Sequence, residues 1–181
     1  QSKNVTNFNG VPYHYEMLER LNFRSNQINS IRFMTQAGGR LSPDLVVKYS
    51  KYCLDINASF YVMYGQTEAA PRMSYVKHSP DCKKPKSIGR PVGRGEFSIL
   101  NDDGSIAPGD GVVGELCYRG PNVFVGYASN EKDWFVGSEN KERWLPTGDL
   151  AYRDAEGDYY LVGRRSRYVK LFGHRVSLDD L

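Results

Sequence analysis

The chain has 181 residues, of which 40% are hydrophobic and 25% charged, and a formal net charge of +3. Those values describe an ordinary soluble globular protein with ample material for a core, and the small charge demands no acidic partner. No run of about 18 apolar residues occurs, which excludes a membrane-spanning helix. Three cysteines, Cys53, Cys82 and Cys117, form no C-x-x-C and have no histidine at ligand spacing, so they read as reduced cytoplasmic thiols rather than a disulfide or zinc framework.

The opening "QSKNVTNFNG" carries no basic-then-apolar leader. Both ends of the chain read as cut rather than finished. "YHYEMLERL" then places Tyr15, Leu18 and Leu21 near a helical period, and the polar loop "NFRSNQINS" follows. "IRFMTQAGG" reads as a strand running into a Gly-Gly turn. In "SPDLVVKYSKYCL" the pattern predicts a helix on three grounds: Ser42 as N-cap, Pro43 at the first helical position and Asp44 in the first turn. "SFYVMYG" is the next strand, rich in aromatic and β-branched residues.

Strand, helix and strand in this order imply a parallel sheet. Ligands of such sheets sit at the carboxyl ends of strands, where Gly38-Gly39 and Tyr64 to Glu68 both fall. Near Tyr75 the texture changes. "KHSPDCKKPKSIGRPVGRG" reads as a Pro-, Gly- and Lys-rich loop, and from Phe97 to Val162 short strands alternate with turns such as "NDDGS", "APGDG" and "RDAEG". The expected fold is α/β plus β: residues 1–76 form the end of an α/β unit, 77–162 a β-rich, mainly antiparallel unit, and 163–181 a hinge and first hairpin.

"GDGVVG", Gly109 to Gly114, matches G-x-G-x-x-G literally. A proline turn precedes it and a strand follows, whereas the dinucleotide fingerprint needs a strand before and a helix after, so it reads as a β turn. No phosphate loop of the G-x-x-x-x-G-K-[ST] type and no G-x-S-x-G elbow occurs, and His14, His78 and His174 lack zinc spacing. What remains are polar residues expected at turns: Thr67 and Glu68, Thr147 and Asp149, and Arg164.

Those groups suit a nucleotide. A threonine hydroxyl can donate to phosphate, and a neighbouring carboxylate can hold a magnesium ion that bridges phosphates. An aspartate in a tight turn can accept both ribose hydroxyls, a glycine pair lets backbone lie against a flat base, and arginine supplies a forked donor. Taken singly, Asp149 could equally cap a turn, Arg164 lie on the surface and Gly38-Gly39 be a plain loop. "GRRSRYVKLFGHR" has five Arg and Lys residues in 13 and no acid; it fits a solvated face, a nucleic-acid patch or a phosphate-ligand site.

In order, "FNGVPYHYEML", "QAGGRLSP", "MYGQTE", "GELCYRGPNVFVGYASN" and "WLPTGDLAYRDAEGDYYLVGRRSRYVKLFGHRVSL" resemble successive motifs of the adenylate-forming superfamily of acyl- and aryl-CoA synthetases, luciferases and peptide-synthetase adenylation domains. The resemblance covers nearly the whole chain and implies the C-terminal part of the large acyl-CoA-synthetase-like domain with the start of the small one. It implies ATP or AMP, Mg2+ and coenzyme A as ligands. Gly38, Gly39 and Arg40 would line the adenine pocket, with Tyr64 against the base and Gly65 and Gln66 beside it. Thr67 would bind the α-phosphate, Glu68 would hold magnesium, and Asp149 would take the ribose hydroxyls next to Arg164.

By the same resemblance, Met63, Ala69 and Ala70 would line part of the acyl pocket, the small alanines leaving room for an acid larger than acetate. Ser166 would be the hinge, a position usually filled by Asp or Lys in the family, so serine changes how the hinge is held. Gly173 and Arg175 would approach coenzyme A, although "LFGHR" departs from the "SGHR" form that favours it. The family's Gly- and Ser/Thr-rich phosphate loop and its C-terminal lysine are expected outside this chain, which should not adenylate unaided. A carrier-protein pantetheine is the alternative acceptor, a light emitter or reductase partner is a further subtype, and a noncatalytic nucleic-acid module is the rival from another class.

Overall fold

A computed structural model describes residues 4–23, 30–131, 133, 144–171 and 174–177, with side chains through residue 166. The chain forms two compact units. The first comprises Gln1–Gly65 and Ser74–Ile88; the second comprises Gln66–Met73 and Gly89–Leu181. The backbone therefore leaves the first unit after Gly65, contributes eight residues to the second, and returns at Ser74.

In the first unit, β1 (Asn7–Gly10), β2 (Phe33–Gln36) and β3 (Ser59–Tyr64) run parallel, while β4 (Ser74–His78) pairs antiparallel with β3. Helix α1 (Pro12–Arg20) links β1 to the chain before β2, and α2 (Pro43–Asp55) links β2 to β3. The expected start of α2 is observed: Ser42 Oγ accepts the Leu45 N–H at 3.4 Å, Pro43 leads the helix and Asp44 is in its first turn. Val46, Tyr49, Ser50 and Cys53 recur at helical spacing and are all buried.

The core of this unit is aromatic. Tyr15 is wholly buried, edge-on to Tyr49 at 4.8 Å and to Phe60 at 5.7 Å between ring centres, and donates to the Thr35 carbonyl at 2.6 Å. The buried phenol keeps its polar end satisfied, which avoids the cost of an orphaned hydroxyl. Burial raises the Tyr15 pKa, and burial likewise pushes the Cys53 thiol up to about 12.

In the second unit, β6 (Glu96–Leu100), β7 (Gly114–Arg119), β8 (Leu145–Arg153) and β9 (Tyr159–Arg164) form an antiparallel run in the order β9-β8-β7-β6. Phe97 packs against Tyr118 and Tyr159 at 5.5 and 5.0 Å, and Leu116, Leu150 and Ala151 of the same unit are buried. The "GDGVVG" stretch is a turn leading into β7, with Gly111 at a φ of +77°. Its last glycine abuts β6: a Cβ on Gly114 would stand 2.3 Å from the Leu100 carbonyl oxygen. Strands β10 (Tyr168–Leu171) and β11 (His174–Ser177) make a separate antiparallel hairpin from the basic segment.

Two expectations are corrected. "KHSPDCKKPKSIGRPVGRG" is not all loop, since β4 ends within it and β5 (Ser87–Pro91) lies inside it. Ser, Gly and Pro carry little strand preference, so tertiary pairing decides there, and Pro91 sits at the strand's end, where a missing N–H is tolerated. Thr147 and Asp149 are not on a free turn but inside β8, where Gly148 between them has a φ of +73°. Glycine there permits a local kink that a β-branched residue would resist.

Candidate functional site

In the first unit, Gly38, Gly39 and Arg40 are exposed just beyond β2. Gly38 has a φ of +77°, a Cβ on Gly39 would come within 3.1 Å of Pro12, and Gln36 Nε2 donates to the Gly39 carbonyl at 2.6 Å. The glycine pair is thus pinned from α1 on one side and from β2 on the other. Met63 and Tyr64, both half-buried, end β3, and half-buried Gly65 closes the unit's first segment.

In the second unit, Gln66 precedes a single 3-10 turn, Thr67–Ala69. Thr67 is exposed, Glu68 half-buried, Ala69 wholly buried and Ala70 exposed. The loop after β7 holds this segment with four hydrogen bonds. Phe124 N–H donates to the Glu68 carbonyl at 2.8 Å, Asn122 Nδ2 donates to the Ala69 and Arg72 carbonyls at 3.0 and 3.1 Å, and the Tyr127 hydroxyl donates to Glu68 Oε1. Asn122 is itself anchored by a 2.7 Å bond from Tyr118.

The same unit presents Asp149 and Arg164, cross-strand partners on β8 and β9, with Nε and Oδ1 2.8 Å apart. The Asp149 carboxylate is largely buried and the arginine more than half exposed. Thr147 Oγ1 donates to the Leu116 carbonyl at 2.7 Å and accepts the Asp149 N–H at 3.1 Å, which fixes the backbone on either side of Gly148. Glu115, on β7, accepts the Gly148 N–H at 3.2 Å and pairs with Arg165.

Electrostatics link these parts. The Tyr127 hydroxyl, then the residue's own backbone N–H and the charge of Arg164, hold the Glu68 carboxyl below its ordinary pKa, so it is ionised at neutral pH. The Glu68 carboxylate thus meets a tyrosine hydroxyl and also feels the charge of Arg164. Among the described residues, no group of three His, Cys, Asp or Glu side chains could hold a metal by itself. Magnesium takes one or two carboxylates and completes its shell with water and substrate phosphates. Glu68 offers the hard anionic oxygen required.

Sequence reasoning missed Tyr127 and Glu115, which sit in the quoted segment "GELCYRGPNVFVGYASN" without any pattern that marks them. It also missed that His78 Nδ1 lies 3.0 Å from Cys82 Sγ, a pairing whose only sequence trace is a separation of four residues. Ser166 is exposed at a 3-10 turn, Arg165–Arg167, between β9 and β10. Gly173 lies outside the described residues, and Arg175 is described only as a backbone position on β11, opposite Lys170. Among the described residues no helix is long and apolar enough to cross a membrane.

A parallel α/β unit with an antiparallel β unit after it is the architecture of adenylate-forming, acyl-CoA-synthetase-like domains. The chain superposes on O-succinylbenzoate coenzyme A synthetase (MenE) from Bacillus subtilis, solved in complex with ATP and a magnesium ion, with a TM-score of 0.73 at 28% identity, over 96% of this chain and 34% of that one. It belongs to the AMP-binding enzyme family, whose pattern it matches over residues 1–128. It is 33% identical over 158 residues to an oxalate–CoA ligase of Saccharomyces cerevisiae, covering 87% of this chain and 28% of that protein. It is 32% identical to an oxalate–CoA ligase of Arabidopsis thaliana, covering 96% of this chain and 33% of that protein. The chain thus spans about a third of the length of the relatives it matches.

Proposed function

We propose that the complete protein carrying this chain is an AMP-forming acid–thiol ligase, which activates a carboxylic acid with ATP and transfers the acyl group to coenzyme A. In the first step a carboxylate oxygen attacks the α-phosphorus, the bond to the β-phosphate oxygen breaks, and pyrophosphate leaves. In the second the thiol sulfur attacks the acyl carbon, its proton is lost, and AMP departs. One observation supports the reading: within one unit of the fold the Glu68 carboxylate feels the charge of Arg164, which is itself paired with Asp149.

In this scheme Asp149 accepts the ribose hydroxyls and Arg164 orients it while offering its outer N–H groups to ligand oxygens. Thr67 donates to the α-phosphate, and Gly38, Gly39, Arg40, Tyr64, Gly65 and Gln66 form the adenine side. Glu68 holds a magnesium ion, which when bound would neutralise charge building on the phosphates. Met63, Ala69 and Ala70 contribute to the acyl side, Ser166 is the pivot between the two half-reactions, and Gly173 and Arg175 serve coenzyme A. Three cysteines, none in a disulfide, suit a reducing cytoplasm.

The test is a panel of short dicarboxylic, aryl and fatty acids on the complete protein, following ATP-dependent pyrophosphate release and coenzyme A consumption. Release with one acid class, matched by thiol consumption, is the expected result and names the substrate. Release without it assigns another thiol acceptor, and no release with any acid overturns the ligase reading.

A further inference from the structure

The turn that carries Thr67 and Glu68 has little of its own to hold it. It is a single 3-10 turn, closed by one backbone bond from the Ala69 N–H to the Gln66 carbonyl at 3.1 Å. One such bond does not repay the cost of fixing three residues. Thr67 is exposed and Glu68 half-buried, so packing of their side chains fixes them only in part. Their placement has to be imposed by a neighbouring element.

Asn122 supplies that constraint from the loop after β7. Its Nδ2 donates to the Ala69 carbonyl at 3.0 Å and to the Arg72 carbonyl at 3.1 Å, so one nitrogen closes a span of backbone that starts at the end of the turn. Its Oδ1 accepts the Tyr118 hydroxyl at 2.7 Å. Tyr118 is wholly buried on β7 and packs edge-on to Phe97, which makes the anchor rigid. The hydroxyl has room there because two glycines lack side chains. A Cβ on Gly120 would stand 2.5 Å from it and 2.9 Å from Asn122 Oδ1, and a Cβ on Gly95 would also collide with it. The reverse orientation of the amide would set its oxygen against two carbonyls, so only this donor pattern is chemically sound.

We propose that Asn122 is a positioning residue for the phosphate and magnesium groups: through the Ala69 and Arg72 carbonyls it sets the turn that carries the Thr67 hydroxyl and the Glu68 carboxylate. The inference rests on the proposed ligase reading, with Thr67 at the α-phosphate and Glu68 at magnesium. Tyr127 orients one side chain, whereas Asn122 fixes the backbone next to both residues. The base and the ribose are assigned to other elements, Gly38 and Gly39 beyond β2 and Asp149 on β8. Loss of Asn122 should therefore be felt at the phosphate end of the nucleotide and not at the nucleoside end.

Two variants of the complete protein test this. Asn122→Leu keeps the approximate size and removes every polar atom; Tyr118→Phe keeps the ring and frees the amide from its anchor without removing the donors. Each is measured for the magnesium concentration giving half-maximal ATP–pyrophosphate exchange, and for the inhibition constant of adenosine, which has no phosphate. Asn122→Leu should raise the magnesium requirement about ten- to fiftyfold, the scale of two lost hydrogen bonds to backbone carbonyls. Tyr118→Phe should raise it about two- to tenfold, the scale of one. The adenosine constant should stay within about twofold of wild type in both, whereas a general loosening of the fold would weaken both ends of the nucleotide together.

An unmoved magnesium requirement, or an adenosine constant that rises in step with it, would overturn the assignment while wild-type exchange upheld the ligase. If Asn122→Leu does not fold, Tyr118→Phe decides the matter alone. A wild-type protein that releases no pyrophosphate with any acid would overturn the ligase reading, and the role of Asn122 with it.

Discussion

The Tyr127 hydroxyl donates to Glu68 Oε1, so the carboxylate proposed to hold a metal is oriented by a residue 59 positions further along the chain. The loop that carries Tyr127 also grips the backbone of the Glu68 turn through Asn122 and Phe124. One side chain thus sets a carboxylate whose position its own short 3-10 turn could not fix.

Tyr127→Phe removes that donor and leaves the ring. The magnesium concentration for half-maximal pyrophosphate release should rise about three- to tenfold, the scale of one charge-assisted hydrogen bond at an exposed site. The sign of the pH effect follows from the depressed Glu68 pKa. In the wild type the ionised form persists to lower pH, and without Tyr127 the acid limb of the profile should move up toward the ordinary carboxylate range. An unchanged magnesium requirement with an unmoved limb would reduce Tyr127 to packing.

Asp149→Ala should lower ATP-dependent turnover at least about a hundredfold, because two ribose hydroxyls lose an ionised acceptor worth roughly 1.5–3 kcal/mol each. Its partner Arg164 is 59% exposed and is left in water rather than stranded, so the melting temperature should stay close to wild type. Turnover measured beside a thermal melt separates a lost ligand contact from a lost fold. Turnover within threefold of wild type would remove Asp149 from the site.

His78 is 4% exposed, and burial lowers its pKa from 6.5 to about 4. Its Nδ1 faces Cys82 Sγ and its Nε2 has no hydrogen-bond partner, so a charged ring would be poorly accommodated. The unfolded chain binds the proton at higher pH than the folded one. Stability is therefore full above about pH 6.5 and falls as the pH drops toward 4, by roughly 3 kcal/mol for this residue. Urea midpoints at several pH values in this window should be flatter for His78→Gln than for wild type, and parallel curves would assign the acid lability to other groups.

Gly114→Ala places a methyl group on the Leu100 carbonyl oxygen, a backbone atom that cannot rotate away. Forcing β6 and β7 apart should cost about 1–3 kcal/mol, typical of an overpacked site. Gly109, in the same Gly-rich stretch, meets nothing within 4 Å, so Gly109→Ala should be near neutral. Paired thermal melts of the two variants check the contrast, and equal losses would refute it.

Much of the first unit is legible because its signals are local. Ser42, Pro43 and Asp44 announce α2, and the aromatic, β-branched composition of "SFYVMY" announces β3. Gly38, Gly39, Glu68, Asp149 and Arg164 could be singled out because each residue type has a distinctive chemistry at a strand's end or kink. β5 could not, since its Ser, Gly and Pro are strand-forming only through their neighbours. Tyr127 was one tyrosine among 13, and only the folded loop brings it to Glu68. Glu115 carries no distinguishing pattern in the sequence, and only the folded β8 brings it the Gly148 N–H that it accepts. Nothing in the residue pattern marks Gly65 as the point where the chain changes units.

The excursion of Gln66–Met73 out of the first unit and back has a consequence for synthesis. Ribosomes emit about 5–20 residues per second. The Glu68 turn therefore emerges several seconds before Asn122, Phe124 and Tyr127, which brace it, and longer still before β8 and β9 exist. During that interval it is a tether between finished β3 and growing β4, with its carboxylate unoriented. No single cleavage point would separate the two units with their parts intact, so neither can be shuffled between proteins as a cassette. The Glu68 turn is made early and is braced late, only once the later strands of its adopted unit have arrived.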